Sequence, residues 1–101
     1  MTRLVVTPEA NADASEILTY LDREAGARIA ESYSRRFQQT LAGLVDLPRT
    51  GAPRPILGRN TRIAIVQPYL LIYDFSNDDD TLTLLRILHG RRNITRGLLG
   101  H

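Results

Sequence analysis

Read for the spacing of apolar and polar positions, the chain resolves into four strand-like runs and two helix-like ones. Arg3–Val6 is a short apolar run that reads as a strand. Thr7-Pro8-Glu9 then has the makings of a helix start: a capping hydroxyl, a proline suited to the first turn, and an acid that complements the helix dipole. Ala10, Ala14, Ile17, Leu18, Leu21 and Ala25 recur at three- and four-residue spacing as the apolar stripe of that helix. Asp13, Glu16, Asp22, Arg23 and Glu24 are assigned to its opposite side, and Gly26 stops it. A second stripe, Ala30, Tyr33, Phe37, Leu41 and Leu44, predicts a second helix that ends at Pro48. So short a connection forces the two helices to run antiparallel.

Residues 49–60 form the only long loop, stiffened by Pro53 and Pro55 and given turns by Gly51 and Gly58. Two strands follow, 61–67 and 69–75, separated only by a turn, so they pair as a hairpin. The polar turn 77–80 leads into a last strand, 81–88, in which Leu82, Leu84 and Leu88 share one face and Leu85 and Ile87 the other. A strand apolar on both faces is buried on both, which places it centrally in its sheet. The predicted fold is α+β: an N-terminal strand, an antiparallel helical hairpin, then a three-stranded antiparallel meander, with the helices packed on one face of the sheet. The first strand is expected at an edge or beside the last one. Residues 1–101 are read as one domain, with 93–101 a short C-terminal tail.

That arrangement leaves a surplus. Two helices cover one face, yet Tyr69, Leu71, Tyr73 and Phe75 alternate with Leu70 and Ile72. Part of this apolar surface is expected to stay exposed, and such a patch marks a partner site.

Composition narrows the class. A chain of 101 residues allows one core. It has no cysteine, hence no disulfide framework, and no run approaching the roughly 20 apolar residues of a membrane span, so a cytoplasmic location is expected. All 13 basic residues are arginine, each a planar, permanent cation suited to carboxylates and phosphates. Residues 1–50 hold six arginines against seven acids, and residues 51–101 hold seven against four. Those four are Asp74 and the run Asp78-Asp79-Asp80, whose adjacent carboxylates diverge from one another, so neither a metal nor a cofactor is expected. His89 ends the last strand beside Gly90, Arg91 and Arg92. It admits two roles, a proton shuttle that titrates near neutral pH or a hydrogen-bonded strand terminus. Arg54, Arg59, Arg62, Arg91 and Arg92 gather into one cationic surface if the long loop returns over that end of the sheet.

Several stretches together resemble the ParE toxins of bacterial type II toxin–antitoxin pairs, within the ParE/RelE superfamily. They are Ala12-Asp13, Ile17–Tyr20, Ala30 through Phe37, Leu47-Pro48, Gly51, Arg54-Pro55, Leu57-Gly58, Arg62, Pro68-Tyr69-Leu70, Tyr73 and Leu85–Arg92. The resemblance implies a growth-inhibiting toxin that binds and poisons DNA gyrase without catalysis. It also implies neutralisation in a hetero-oligomer by a cognate antitoxin of ribbon-helix-helix type with an acidic C-terminal segment. Neither membrane binding nor direct DNA binding by the toxin alone is expected. His89, Arg91, Arg92 and Arg96 are the expected target-binding residues; Arg54, Arg59, Arg62, Tyr69, Leu71 and Tyr73 are those expected to meet the antitoxin. Deleting the tail after Gly90 is expected to leave the fold intact. Two alternatives stay open: a RelE-like ribosome-dependent mRNA endoribonuclease using His89, Arg62 and Arg91, or a non-toxic relic that only binds antitoxin. The absence of lysine, and of any tyrosine after Tyr73, departs from the RelE pattern.

Overall fold

In the computed structural model, which describes residues 2–91 and Leu99, the elements run β1 (Arg3–Val6), α1 (Pro8–Ala25), α2 (Ala27–Asp46), β2 (Ala52–Pro53), β3 (Thr61–Val66), β4 (Tyr69–Ser76) and β5 (Thr81–His89). The local signals act as expected. Thr7 Oγ1 accepts from the Ala10 N–H at 3.0 Å and caps α1. Gly26 takes φ +95° and donates its N–H to the carbonyls of Leu21 and Asp22, which turns the chain straight into α2. A Cβ there would have nothing within 4 Å, so the dihedral and not crowding calls for glycine.

The sheet has five strands in the order β1-β5-β4-β3-β2. β1 lies parallel to β5 at one edge, as the sequence allowed, and the remaining neighbours are antiparallel. Two expectations change. The central strand is β4, with β5 one place off centre. A fifth strand, β2, comes from the long loop, whose Ala52 and Pro53 pair with Ile63 and Arg62 of β3.

The faces of β5 also differ from strict alternation. Ile72 of β4 pairs with Arg86 but Tyr73 pairs with Leu84, so Leu85 is an extra residue, a β-bulge. The bulge moves Ile87 to the face of Leu82 and Leu84, and leaves Leu85 and Leu88 on the other. Beyond Val6 there is no β1 residue to pair with β5, and α1 fills the gap. Thr7 Oγ1 donates to the Leu85 carbonyl at 2.9 Å, and the Ile87 N–H donates to Asp13 Oδ2 at 3.0 Å. Arg86 adds a two-pronged contact to the same carboxylate, at 2.6 and 2.9 Å. Asp13 is therefore buried against the sheet, contrary to its expected place on the solvent side.

Tyr69, Leu71, Tyr73, Leu82, Leu84 and Ile87 pack under the helices against Ala10, Phe37 and Leu44. On the far face, Ile63, Ile72 and Leu88 are covered by Leu57 of the long loop and by Leu99. This overturns the exposed sheet surface read from the sequence: Leu71 and Tyr73 are 0% exposed and Tyr69 is 6%. The physical reason is that the loop and one tail residue form a second layer, and burying a leucine in this way stabilises by roughly 1.5–3 kcal/mol. With Leu99 in that layer, removal of everything after Gly90 is no longer expected to be neutral for folding. The other tail residues, Arg92 and Arg96 among them, lie outside the described residues.

Candidate functional site

Antiparallel pairing of β4 with β5 brings Tyr69 opposite His89 at the end of the sheet where β5 stops. Their rings meet edge-on, 5.8 Å between centroids. Tyr69 in turn stacks edge-on to Tyr33 and Phe37 of α2, so an aromatic row runs from the helical hairpin to the histidine. His89 Nδ1 accepts the Arg91 N–H at 3.1 Å; in the neutral ring the proton must then sit on Nε2. Gly90 closes the strand by donating its N–H to Pro68 O at 2.8 Å.

Between this strand end and α1 lies a cleft of about 560 Å³, lined by Glu16, Ile17, Tyr20, Pro68, Tyr69 and His89. Glu16 and Tyr20 follow Asp13 on successive turns of α1, so the contact of Asp13 with β5 also sets where they stand. Tyr69 ionises above its ordinary value because it is desolvated and lies near the hydroxyls of Tyr33 and Tyr20. Its hydroxyl stays neutral at physiological pH. A carboxylate and an imidazole sharing one open cleft can exchange protons with a bound ligand. Spacing along the chain puts Glu16 only on the outer side of α1; its place beside His89 depends on the packing of α1 across the β5 edge.

The basic residues divide between the two ends of the sheet. Arg91 is exposed beside His89. Arg62, at the start of β3, is four residues from Val66, about 13 Å along a strand, and Val66 is the residue level with Tyr69 and His89. The Arg62 guanidinium donates to the carbonyls of Arg49 at 2.9 Å and Gly51 at 2.8 Å, pinning the loop after α2. Arg54 and Arg59 are exposed at that same far end, where the Arg54 N–H joins Thr61 O at 2.9 Å. The loop thus returns over the end of the sheet opposite to His89. No single surface unites Arg54, Arg59 and Arg62 with Arg91, and the trio His89, Arg62 and Arg91 does not converge.

Tyr73 is a structural anchor: its hydroxyl donates to Pro48 O at 2.7 Å and accepts the Gly51 N–H at 3.0 Å. A side chain at Gly51 would overlap that hydroxyl, so glycine is required there. Asp80, in the acidic turn, accepts from Thr2 Oγ1 at 2.9 Å and helps to hold β1. Among the described residues no group of three His, Asp or Glu side chains is placed to hold a metal ion. Nor is any described helix long and apolar enough to cross a membrane.

Comparison with solved structures gives the same architecture. The chain overlaps a structure of the chromosomal ParDE toxin–antitoxin system from Pseudomonas aeruginosa at TM-score 0.73, with 21% identity, over 88% of this chain and 96% of that one. It overlaps the toxin–antitoxin complex RelBE2 from Mycobacterium tuberculosis at TM-score 0.61, with 23% identity, over 87% and 96% of the two chains. For the isolated RelE toxin of Escherichia coli the values are 0.63, 13%, 92% and 88%. At these identities the likeness establishes the fold. No curated protein matches the sequence significantly. The model of the family described as "ParE toxin of type II toxin-antitoxin system, parDE" matches residues 4–94. Nearly the whole chain is covered, and the chain belongs to the ParE toxin family of type II toxin–antitoxin systems.

Proposed function

We propose that the chain stops growth in the cytoplasm by binding and poisoning DNA gyrase. In this reading a cognate antitoxin, of ribbon-helix-helix type with an acidic C-terminal segment, silences it in a hetero-oligomer. The observation that carries the gyrase reading is the separation of Arg62 from His89 along the sheet. RNA cleavage needs proton transfer and charge stabilisation at one phosphate. Arg62 and Arg91, the cations named for that task, are at opposite ends of the sheet, and the Arg62 guanidinium already serves two carbonyls. Poisoning by binding needs only a complementary surface. His89 and Arg91, with Arg92 and Arg96 following them in sequence, supply a basic one. Membership of the ParE family supports the same target.

One observation favours a second reading, ribosome-dependent mRNA cleavage: Glu16 and His89 line the same cleft, an acid–base pair that does not depend on Arg62. Induction of the wild type, His89→Gln and Glu16→Gln separates the two when growth, plasmid supercoiling and the integrity of translated mRNA are followed together. The gyrase reading predicts lost supercoiling and intact mRNA, with each variant within about fivefold of wild type, the effect of one altered hydrogen bond of ~1 kcal/mol. Translation-dependent cleavage that falls roughly 10²–10⁴-fold in either variant would establish the second reading instead.

A further inference from the structure

Among the described residues the most exposed large apolar side chain is Ile56, 81% exposed in the loop between β2 and β3. A lone exposed isoleucine is ordinary on a protein surface. What sets this one apart is how firmly it is held. The Arg54 N–H continues the β2–β3 ladder by donating to Thr61 O at 2.9 Å, so residues 54–61 close as a hairpin loop. Two turns fill that loop back to back. The Leu57 N–H donates to Arg54 O at 2.9 Å, with Pro55 and Ile56 at the corners, and the Thr61 N–H donates to Gly58 O at 3.2 Å. Proline at the first corner fixes its own φ and so stiffens the turn.

Both turns are also fastened to the sheet. Leu57, directly after Ile56, is 3% exposed and belongs to the far-face cluster with Ile63, Ile72 and Leu88. Asn60 O accepts the Phe75 N–H at 3.1 Å. The buried Thr61 hydroxyl donates to Asp74 Oδ1 at 2.5 Å, and a Cβ added at Gly58 would collide with that hydroxyl. Ile56 is therefore an apolar knob on a backbone that is already ordered, and binding through it forfeits little entropy.

The surroundings of the knob are cationic. Arg54 and Arg59 are exposed before and after it. Residues 49–73 hold four arginines and no acid, and Asp74, the first acid beyond them, is taken up by Thr61. A knob needs a hole. An extended antitoxin segment, which itself seeks a groove, offers none. A nucleic acid would engage the arginines through its phosphates and leave the isoleucine wet.

We infer that the turn from Arg54 to Arg59 docks on the protein target of the toxin. Ile56 enters an apolar socket there, and Arg54 and Arg59 meet carboxylates on its rim. This contact presupposes the binding mechanism proposed above and adds to the His89 and Arg91 end of the molecule. The two lie at opposite ends of the sheet, so the target takes the chain lengthwise.

The test places Ile56→Asp, Ile56→Leu, Arg54→Ala and Arg59→Ala in the full chain. Growth arrest on induction, supercoiling by purified gyrase and calorimetry against the cognate antitoxin are then compared. Ile56→Asp should abolish arrest and raise the toxin needed to stop supercoiling about 30-fold or more, the loss expected of a buried anchor. Ile56→Leu should stay within about threefold. Each arginine variant should lose about three- to tenfold, more at low salt than at high. Every variant should keep the wild-type urea midpoint and antitoxin affinity, because the three side chains are exposed. Growth arrest decides the docking surface and supercoiling decides the target. A wild type that stops growth with gyrase untouched overturns the gyrase reading, while Ile56→Asp still tells whether this turn is used. Undiminished arrest by Ile56→Asp would overturn the inference. So would arrest lost in the arginine variants alone, the mark of a phosphate backbone, or antitoxin affinity lost in Ile56→Asp, which would seat the antitoxin here. Self-association of the wild type that Ile56→Asp abolishes would make a second copy the occupant and overturn it equally.

Discussion

Asp13 stands three residues after Ala10 and four before Ile17, inside the apolar stripe of α1. Arg86 likewise interrupts the apolar run of β5. Each irregularity explains the other, because the carboxylate receives both the guanidinium and the Ile87 N–H. The side chains are 9% and 18% exposed, and Asp13 holds the arginine even more firmly protonated than usual. Asp13→Ala would leave a largely buried cation and an unpaired amide. A loss of about 3 kcal/mol or more in urea unfolding is predicted, with a partly compensating gain when Arg86→Met is added. A single-variant cost below about 1 kcal/mol would show that the pair is peripheral. The tyrosines give a pH signature. Burial raises Tyr69 and Tyr73 above the ordinary 10.0 in the folded chain. The unfolded chain releases those protons first, so stability holds below about pH 10 and falls as pH rises through the folded-state values. Urea midpoints measured from pH 8 to 11 should decline only over the alkaline part of that range; a flat profile would contradict the burial of the two hydroxyls.

The elements were legible where local chemistry decides them. Thr7-Pro8-Glu9 and Gly26 set the ends of α1, and the turns around Pro68 and Asn77 set the meander. What escaped was non-local. The bulge at Leu85 reverses the faces of the last strand, and nothing in an unbroken apolar run announces it. β2 and the burial of Leu57 depend on where a proline-rich loop finally lies, which spacing does not encode. The consequence is that both faces of β4 are core, Tyr69, Leu71 and Tyr73 under the helices and Ile72 under the loop layer, while Leu47 and Ile65 are among the apolar side chains left exposed. Leu99 belongs to the same second layer. Leu99→Ala should therefore cost about 2 kcal/mol in denaturant unfolding, at the low end for a leucine in a core. Truncation after Gly90 should cost at least as much. A truncated chain of unchanged stability would mean that Leu57 covers Ile72 and Leu88 unaided.

Taken whole, the molecule separates two surfaces by the length of a sheet. The end of β5 carries His89 beside the α1 cleft with Arg91 next to it, while Arg49, Arg54, Arg59 and Arg62 stand toward the opposite end. Family and architecture were readable from the order of short Pro, Gly and Arg strings, because that order follows the turns and strand ends of the fold. The division of the arginines was not, since it required knowing which end of the sheet the loop crosses. The most direct measurement is supercoiling by purified gyrase titrated with the purified chain, run beside a translation reaction monitored for mRNA cleavage. The account predicts that supercoiling stops near stoichiometric toxin, that added antitoxin restores it, and that the mRNA stays whole. Uninhibited gyrase at a large excess of folded chain, with mRNA cut in the parallel reaction, would contradict it.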